Sequence, residues 1–272
     1  MLRVGEIEYA NCTPLFTLLR NKFICSDYEF IKGVPAELNR KLLDGEVDVC
    51  PSSSIEYAKY PDKYTILPHL SISSVGSVAS VLLFSRVPLE MLDGCSIGLS
   101  SESATSVNLL KIIIAMKYGC SCSYKVVKQA TTPAECDSAA LLLIGDAALK
   151  SSLKEPGLLV YDLGQLWYDW TGYPFVFALW LCRNEVVSSK DLKTLLKDLI
   201  EAKKLVPERL EDIVDNAGEL AWMGRERLLS YWRDNISYQL NKDAEAGLMF
   251  YYAKCFECGL IPGIPQLKFV SF

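Results

Sequence analysis

The chain has 272 residues, is 50% hydrophobic and 22% charged, and carries a formal net charge of −5. That balance suits a globular fold with a sizeable core and excludes intrinsic disorder, and the acidic charge excludes the basic face a nucleic-acid partner requires. No apolar run reaches the roughly 18 residues of a membrane span. The start, MLRVGEIEYANCTPLF, has acidic residues where a secretion signal needs an apolar core, so a soluble, cytoplasmic protein is expected.

In chain order, Leu2–Tyr9 reads as a strand and Pro14–Arg20 as a helix with proline near its first turn. Pro35–Leu43 fits a short amphipathic helix closed at Gly45, followed by a buried strand at Val47–Cys50. Strands are expected at Thr65–Leu67 and Val78–Phe84, the latter with its apolar body at Val81–Phe84. A second series begins with strand Ser96–Leu99, helix Ser103–Tyr118, and strands Tyr124–Val127 and Ala139–Ile144. Helix Asp146–Ser152 and strand Leu158–Tyr161 complete it, and Val176–Leu181 returns as a strand. From Ser188 the pattern is helical, with runs through Lys203, Glu219, Asp234 and Cys258, one of them expected to pack across the first lobe. Strand–helix alternation implies a mainly parallel sheet with helices on both faces. Two such series predict two α/β lobes around a cleft: residues 1–85 in lobe I, 86–175 in lobe II, and 176–272 returning to lobe I with the C-terminal helices.

The stretch Leu70–Leu110 carries the clearest functional signal. It holds two hydroxyl-rich turns: SSVGSVAS, before the strand at Val81, and SSESATS, which opens the helical run Val107–Met116. Helix starts offer free N–H groups and a positive dipole end, so hydroxyl side chains there make an anion site. The same residues also serve as N-caps and turn formers. In open α/β sheets ligands bind beyond the carboxyl ends of the strands. Those ends carry Glu8, Tyr9 and Asn11; Ser52, Ser53 and Ser54; Ser100, Ser103, Thr105 and Ser106; and Gly145 with Asp146. Nearly all are neutral, which points to a small acidic ligand held by hydroxyl and backbone groups without an arginine clamp. The ten cysteines are scattered and read as reduced thiols. Cys120-x-Cys122 and Cys255-x-x-Cys258 lack the flanking turn of a zinc knuckle, so no metal is expected. The lone histidine, His69, removes histidine-based triads.

The segments GEIEYANCTPL, LLDGEVDVCPSSSIEY, LPHLSISSVGSVASVLLFSRVPLEMLDG, SATSVNLL, IGDAAL and DLGQLWYDWTGYPFVFALW occur in that order between about Arg3 and Leu260. In these the chain resembles the menaquinone-biosynthesis enzymes of the futalosine route, and among them the chorismate dehydratases. The resemblance implies a type II periplasmic-binding-protein-like fold and a hydro-lyase that converts chorismate to 3-(1-carboxyvinyloxy)benzoate, the first step of that route. It implies no cofactor, and the substrate's own enolpyruvyl carboxylate as base. It assigns catalysis to Asn11 and Ser80 and carboxylate binding to Thr105 and Ser106. Ser53, Ser54, Ser77, Gly145 and Asp146 join the expected substrate-binding set, Asp146 doubling as a helix cap. Two positions depart from the family: Ser77 stands where members carry proline, and Ala104 where they carry arginine, with Glu102 nearby. Trp167–Trp170, Tyr173, Phe175 and Phe177 read as core and hinge packing. Three rival readings stand beside this one. The paralogous dihydroxynaphthoate synthase is expected to use a histidine in its second lobe, whereas His69 lies in the first; a cytosolic binding or sensor protein for a small carboxylate would share the cleft; a zinc enzyme fits least.

Overall fold

The computed structural model describes residues 1–99, 104–127, 131–154 and 157–271. Strand β1 (Leu2–Ile7) is buried along nearly its whole length and pairs in parallel with β2 (Tyr28–Gly33) and β3 (Val49–Ser53). The crossovers are α1 (Thr13–Lys22), with proline in its first turn, and α2 (Pro35–Asp44), which Gly45 closes at φ 80°. After α3 (Ser54–Lys59) and β4 (Tyr64–Ser74), the chain crosses into a second sheet through β5 (Val81–Ser85). That sheet is built from β6 (Ser96–Leu99), β7 (Ser123–Val126), β8 (Ala140–Ile144) and β9 (Leu159–Asp162), connected in part by α4 (Ala104–Ile112) and α5 (Gly145–Ser152). Helix α6 (Leu163–Thr171) leads into β10 (Phe175–Arg183), which returns to the first sheet. The two five-stranded sheets have the orders β2-β1-β3-β10-β4 and β7-β6-β8-β5-β9.

Neither sheet is wholly parallel. β10 runs antiparallel to β3 and β4, and β5 antiparallel to β8 and β9. The reversed strands are the two by which the chain passes between sheets, so each enters from the side where the others end. Val81–Ser85, expected within the first lobe, therefore belongs to the second sheet. Its apolar run signals burial on both faces, which does not reveal the sheet that buries it.

The C-terminal part is helical as expected. Helix α7 (Lys190–Val214), capped by Ser189 Oγ accepting from Leu192 N at 3.1 Å, packs on α1. Then come α8 (Leu220–Met223), α9 (Arg225–Ser230), a single π-helical turn at Tyr231–Asn235, and α10 (Lys242–Glu257). Two adjacent tyrosines of α10 tie the halves together: Tyr251 Oη donates to Thr105 O at 3.2 Å and Tyr252 Oη to Ser54 O at 2.6 Å. The main hydrophobic core spans both sheets, and a second, smaller cluster gathers Leu82, Phe84, Cys136, Leu141, Leu143 and Ala148. All ten cysteines are free thiols; burial pushes the pKa of Cys12 and Cys50 up, which leaves them unreactive. Among the described residues no helix is long and apolar enough to cross a membrane.

Candidate active site

A cleft lies between the sheets, where β1, β3 and β8 end and β5 begins. Its walls are apolar at Ile7, Ile72, Val78, Val81, Ile144 and Phe177, and polar at Tyr9, Asn11, Ser53, Ser80 and Ser106. It is partly open at the mouth. Among the described lining residues there is no Asp, Glu, Lys, Arg or His side chain.

Asn11 follows β1 in a turn fastened from several directions. Ala10 N donates to Asp146 Oδ1 at 2.9 Å, and Trp232 Nε1 donates to Ala10 O at 2.7 Å. Tyr238 Oη donates to Asn11 O at 2.7 Å, and Cys12 N to Tyr9 O at 2.9 Å. The backbone is thereby fixed while the amide oxygen, Asn11 Oδ1, is buried with no hydrogen-bond partner. A buried acceptor left unsatisfied costs about 1–3 kcal/mol, so its place beside a cleft calls for an explanation.

Ser80 closes a second fastened turn. The Asp162 carboxylate accepts from Val78 N at 3.0 Å and from Ala79 N at 2.6 Å, and its Oδ1 caps α6 through Gln165 N at 3.0 Å. These bonds hold Ala79 in the left-handed region at φ 59°, where a side chain is strained. Ser80 Oγ donates to Val78 O over 3.3 Å, and its carbonyl accepts from Gly145 N at 2.7 Å. Ser77 does not line the cleft: its hydroxyl donates to Asp162 Oδ2 at 2.7 Å. The hydroxyl is held by the turn, where a proline would fix the same bend covalently.

Ser53 reaches the cleft from the end of β3, held by Asn39, whose Nδ2 donates to Ser53 Oγ at 3.1 Å while its Oδ1 accepts from Ser52 Oγ at 2.7 Å. Ser106 reaches it from the first turn of α4, and Gly145 from the start of α5. Gly145 sits at φ 56°, and a Cβ there would lie 2.7 Å from the Tyr9 ring, so only glycine admits this approach of the two halves. Ser54 and Thr105 meet behind the cleft wall instead. Their hydroxyls are 3.4 Å apart, and Thr105 Oγ1 accepts from Ile55 N at 3.3 Å, joining the starts of α3 and α4. Asp146 turns its Oδ1 to the Asn11 turn. Ala104 lines a separate cavity with Arg40 and Lys111. Glu8 pairs with Lys32 on the surface. Ser100, Glu102 and Ser103 lie outside the described residues.

Several contributors escaped the sequence reading. Phe177, assigned to packing, is part of the cleft wall, whereas Trp167 is fully buried among Trp170, Phe175, Phe250 and Tyr251. Asn39, Asp162, Trp232 and Tyr238 hold the turns from behind, and no local pattern announces them. Tyr231 is also buried here, against the Ser80 side chain; burial, more than the nearby Asp146, Cys12 and Asp162, pushes its hydroxyl pKa well up. The arrangement can bind an anion through hydroxyls and the starts of α4 and α5, and can hold an apolar ring between Ile and Phe side chains.

Two mixed α/β sheets joined by two crossing strands around a cleft at their strand ends define a ligand-binding fold of the periplasmic-binding-protein kind. The same fold occurs in a structural-genomics protein from Archaeoglobus fulgidus (TM-score 0.79, 22% identity, 96% of this chain and 98% of that one). It occurs too in the alkanesulfonate-binding protein SsuA from Xanthomonas axonopodis pv. citri (TM-score 0.73, 15% identity, 98% and 96% covered). Within this class, residues 2–257 match the menaquinone biosynthesis family, and the chain belongs to it. Its relatives include the chorismate dehydratase of Thermus thermophilus, 34% identical over 263 residues with 90% of this chain and 92% of the relative covered. The chorismate dehydratase of Campylobacter jejuni is 33% identical over 208 residues, covering 75% and 76%.

Proposed function

We propose that the chain is a chorismate dehydratase, eliminating water from chorismate to give 3-(1-carboxyvinyloxy)benzoate. The observation that carries this reading is the Asn11 amide oxygen, buried and unpartnered in a fixed turn beside an uncharged cleft, in a chain similar to chorismate dehydratases along most of its length. The reaction breaks the C3–H and C4–O bonds, forms the third double bond of an aromatic ring, and releases water. The C3 proton is γ to the ring carboxylate through a C=C bond, so donors that draw charge onto that carboxylate acidify it. Ser53, Ser106 and the start of α4 are the groups assigned to it. A side-chain base is missing from the described lining, which favours the substrate's enolpyruvyl carboxylate in that role. Asn11 is assigned to orienting the C4 hydroxyl through its amide, and Ser80 to a hydrogen bond with the same region of the substrate. Aromatisation supplies the driving force, and the walls supply position and hydrogen bonds.

Purified protein incubated with chorismate and followed by proton NMR tests this. New signals of a 3-substituted benzoate, absent without protein and unaffected by chelator, are expected. Broadened but persistent chorismate signals would instead mark a binding protein, and an inert mixture a changed ligand. Asn11→Ala should cut turnover by about 100-fold or more, the scale of losing one positioned hydrogen-bonding group, while chorismate still binds. A variant that works at the full rate refutes the role given to Asn11.

A further inference from the structure

Tyr231 opens the π-helical turn Tyr231–Asn235, a geometry that recurs at functional sites. The turn is fastened to both halves of the cleft floor. Trp232 Nε1 donates to Ala10 O at 2.7 Å on the Asn11 side, and Asn235 Nδ2 donates to Ser77 O at 3.0 Å on the Ser80 side. Tyr231 is 2% exposed, and its hydroxyl is buried with no well-formed hydrogen bond, although the Ser80 side chain lies against it. Phenylalanine would fill the same space without stranding a hydroxyl. Near the cleft, then, lie a buried acceptor without a partner, Asn11 Oδ1, and a buried hydroxyl, Tyr231 Oη, whose one neighbour for hydrogen bonding is the Ser80 side chain. Ser80 Oγ, beside the donor, holds only a long bond to Val78 O at 3.3 Å.

A hydroxyl group is the complement of such a floor, since it donates once and accepts at the same oxygen. Resting on the dehydration reading above, we infer that Tyr231 is a positioning residue: its O–H donates to Ser80 Oγ, releasing the Ser80 proton from Val78 O to donate to the departing C4 oxygen. Asn11 Oδ1 accepts from the same C4 hydroxyl. The proton taken from C3 and the C4 hydroxide leave together as water, so Ser80 and Tyr231 end each turnover in the protonation state they began with. Tyr231 acts only as a hydrogen-bond donor. Burial keeps it protonated, and the neighbouring Asp146, Cys12 and Asp162 push the same way, with Tyr238 the other titratable neighbour, so its effect is the same across the working pH range.

The test is Tyr231→Phe, assayed for chorismate turnover, chorismate binding and thermal melting. Expected are a kcat lowered about 10–100-fold, a dissociation constant for chorismate within about twofold of wild type, an unchanged shape of the kcat–pH profile, and a melting temperature equal or higher. A structural role would lower the melting temperature along with activity, and that result overturns the assignment. So does a full-rate variant in a preparation whose wild type is active. Wild-type protein that leaves chorismate intact refutes the dehydration reading itself, and the role of Tyr231 falls with it.

Discussion

Replacing Asp162 with alanine should loosen the turn that carries Ser80. The carboxylate caps α6 through Gln165 N and accepts from Val78 N, Ala79 N and Ser77 Oγ, at distances between 2.6 and 3.1 Å. Losing the cap costs about 1 kcal/mol. Each charge-assisted bond to a backbone amide contributes about 1.5–3 kcal/mol when buried, and roughly half of that here, because Asp162 is partly exposed and water can replace it. Ala79, released from φ 59°, returns about 1 kcal/mol. The net loss is about 2 kcal/mol, and at about 2–4 °C per kcal/mol for a chain of this size the melting temperature falls by roughly 4–8 °C. Ala79→Gly removes the strain directly. In the Asp162→Ala background it should recover part of the loss, because glycine holds the left-handed conformation unaided. Thermal melts by circular dichroism and turnover of chorismate measure both variants. An Asp162→Ala protein that melts within about 2 °C of wild type and keeps its rate would show that water replaces the carboxylate, and the reasoning fails.

Gly145→Ala should lower the melting temperature and raise KM for chorismate, since its Cβ would meet the Tyr9 ring at 2.7 Å with φ at 56°; wild-type values in both assays would contradict it. Asp48 gives a pH signature. Burial opposes its ionisation, but hydrogen bonds from the Arg3 side chain and backbone, with the charges of Arg3 and Arg183, outweigh burial and hold its pKa below the usual carboxylate range. The folded value being the lower one, its stabilisation is present above about pH 4 and is lost as the pH falls further, so wild-type melts should drop more steeply between about pH 5 and pH 3 than those of Arg3→Met. With no charged side chain on the described cleft wall, KM for chorismate should change less than about twofold between about 0.05 and 0.5 M salt, whereas a cationic clamp would make it climb severalfold.

The alternation of strands and helices was legible, because a period near 2 and a period near 3.6 follow from burial on one face. Strand direction was not. The runs Val81–Ser85 and Phe175–Arg183 look like any buried strand, yet each runs against its neighbours. Tyr28–Gly33, YEFIKG, escaped notice as a half-exposed edge strand, and α6 was hidden because its aromatic residues read as packing. At the cleft, the strand-end rule pointed to Asn11, Ser53, Ser106 and Gly145, all of which line it, as does Ser80. Ser54, Ser77 and Thr105 match them in composition but face into the fold: a hydroxyl near a strand end has two sides to face, and the choice is made by partners far away. Asp162 is 85 residues from Ser77, and Tyr238 is 227 from Asn11.

Those distant partners bear on how a fold shared with binding proteins could host chemistry with no acid or base side chain among the described residues of its cleft. A binding protein needs a wall that adapts to its ligand, whereas an enzyme relying on position needs walls that do not give. Here the Asn11 turn is fastened to α5 and to the C-terminal segment, the Ser80 turn to β9 and α6, and Ser53 to α2. The Ala10–Asp146 bond runs from one sheet's half to the other, so any motion that parts the halves at this point breaks it. With no acid or base side chain among the described lining residues, the dehydration proposed above would rest on position, the substrate bringing its own carboxylate to a site whose remaining groups are held in place.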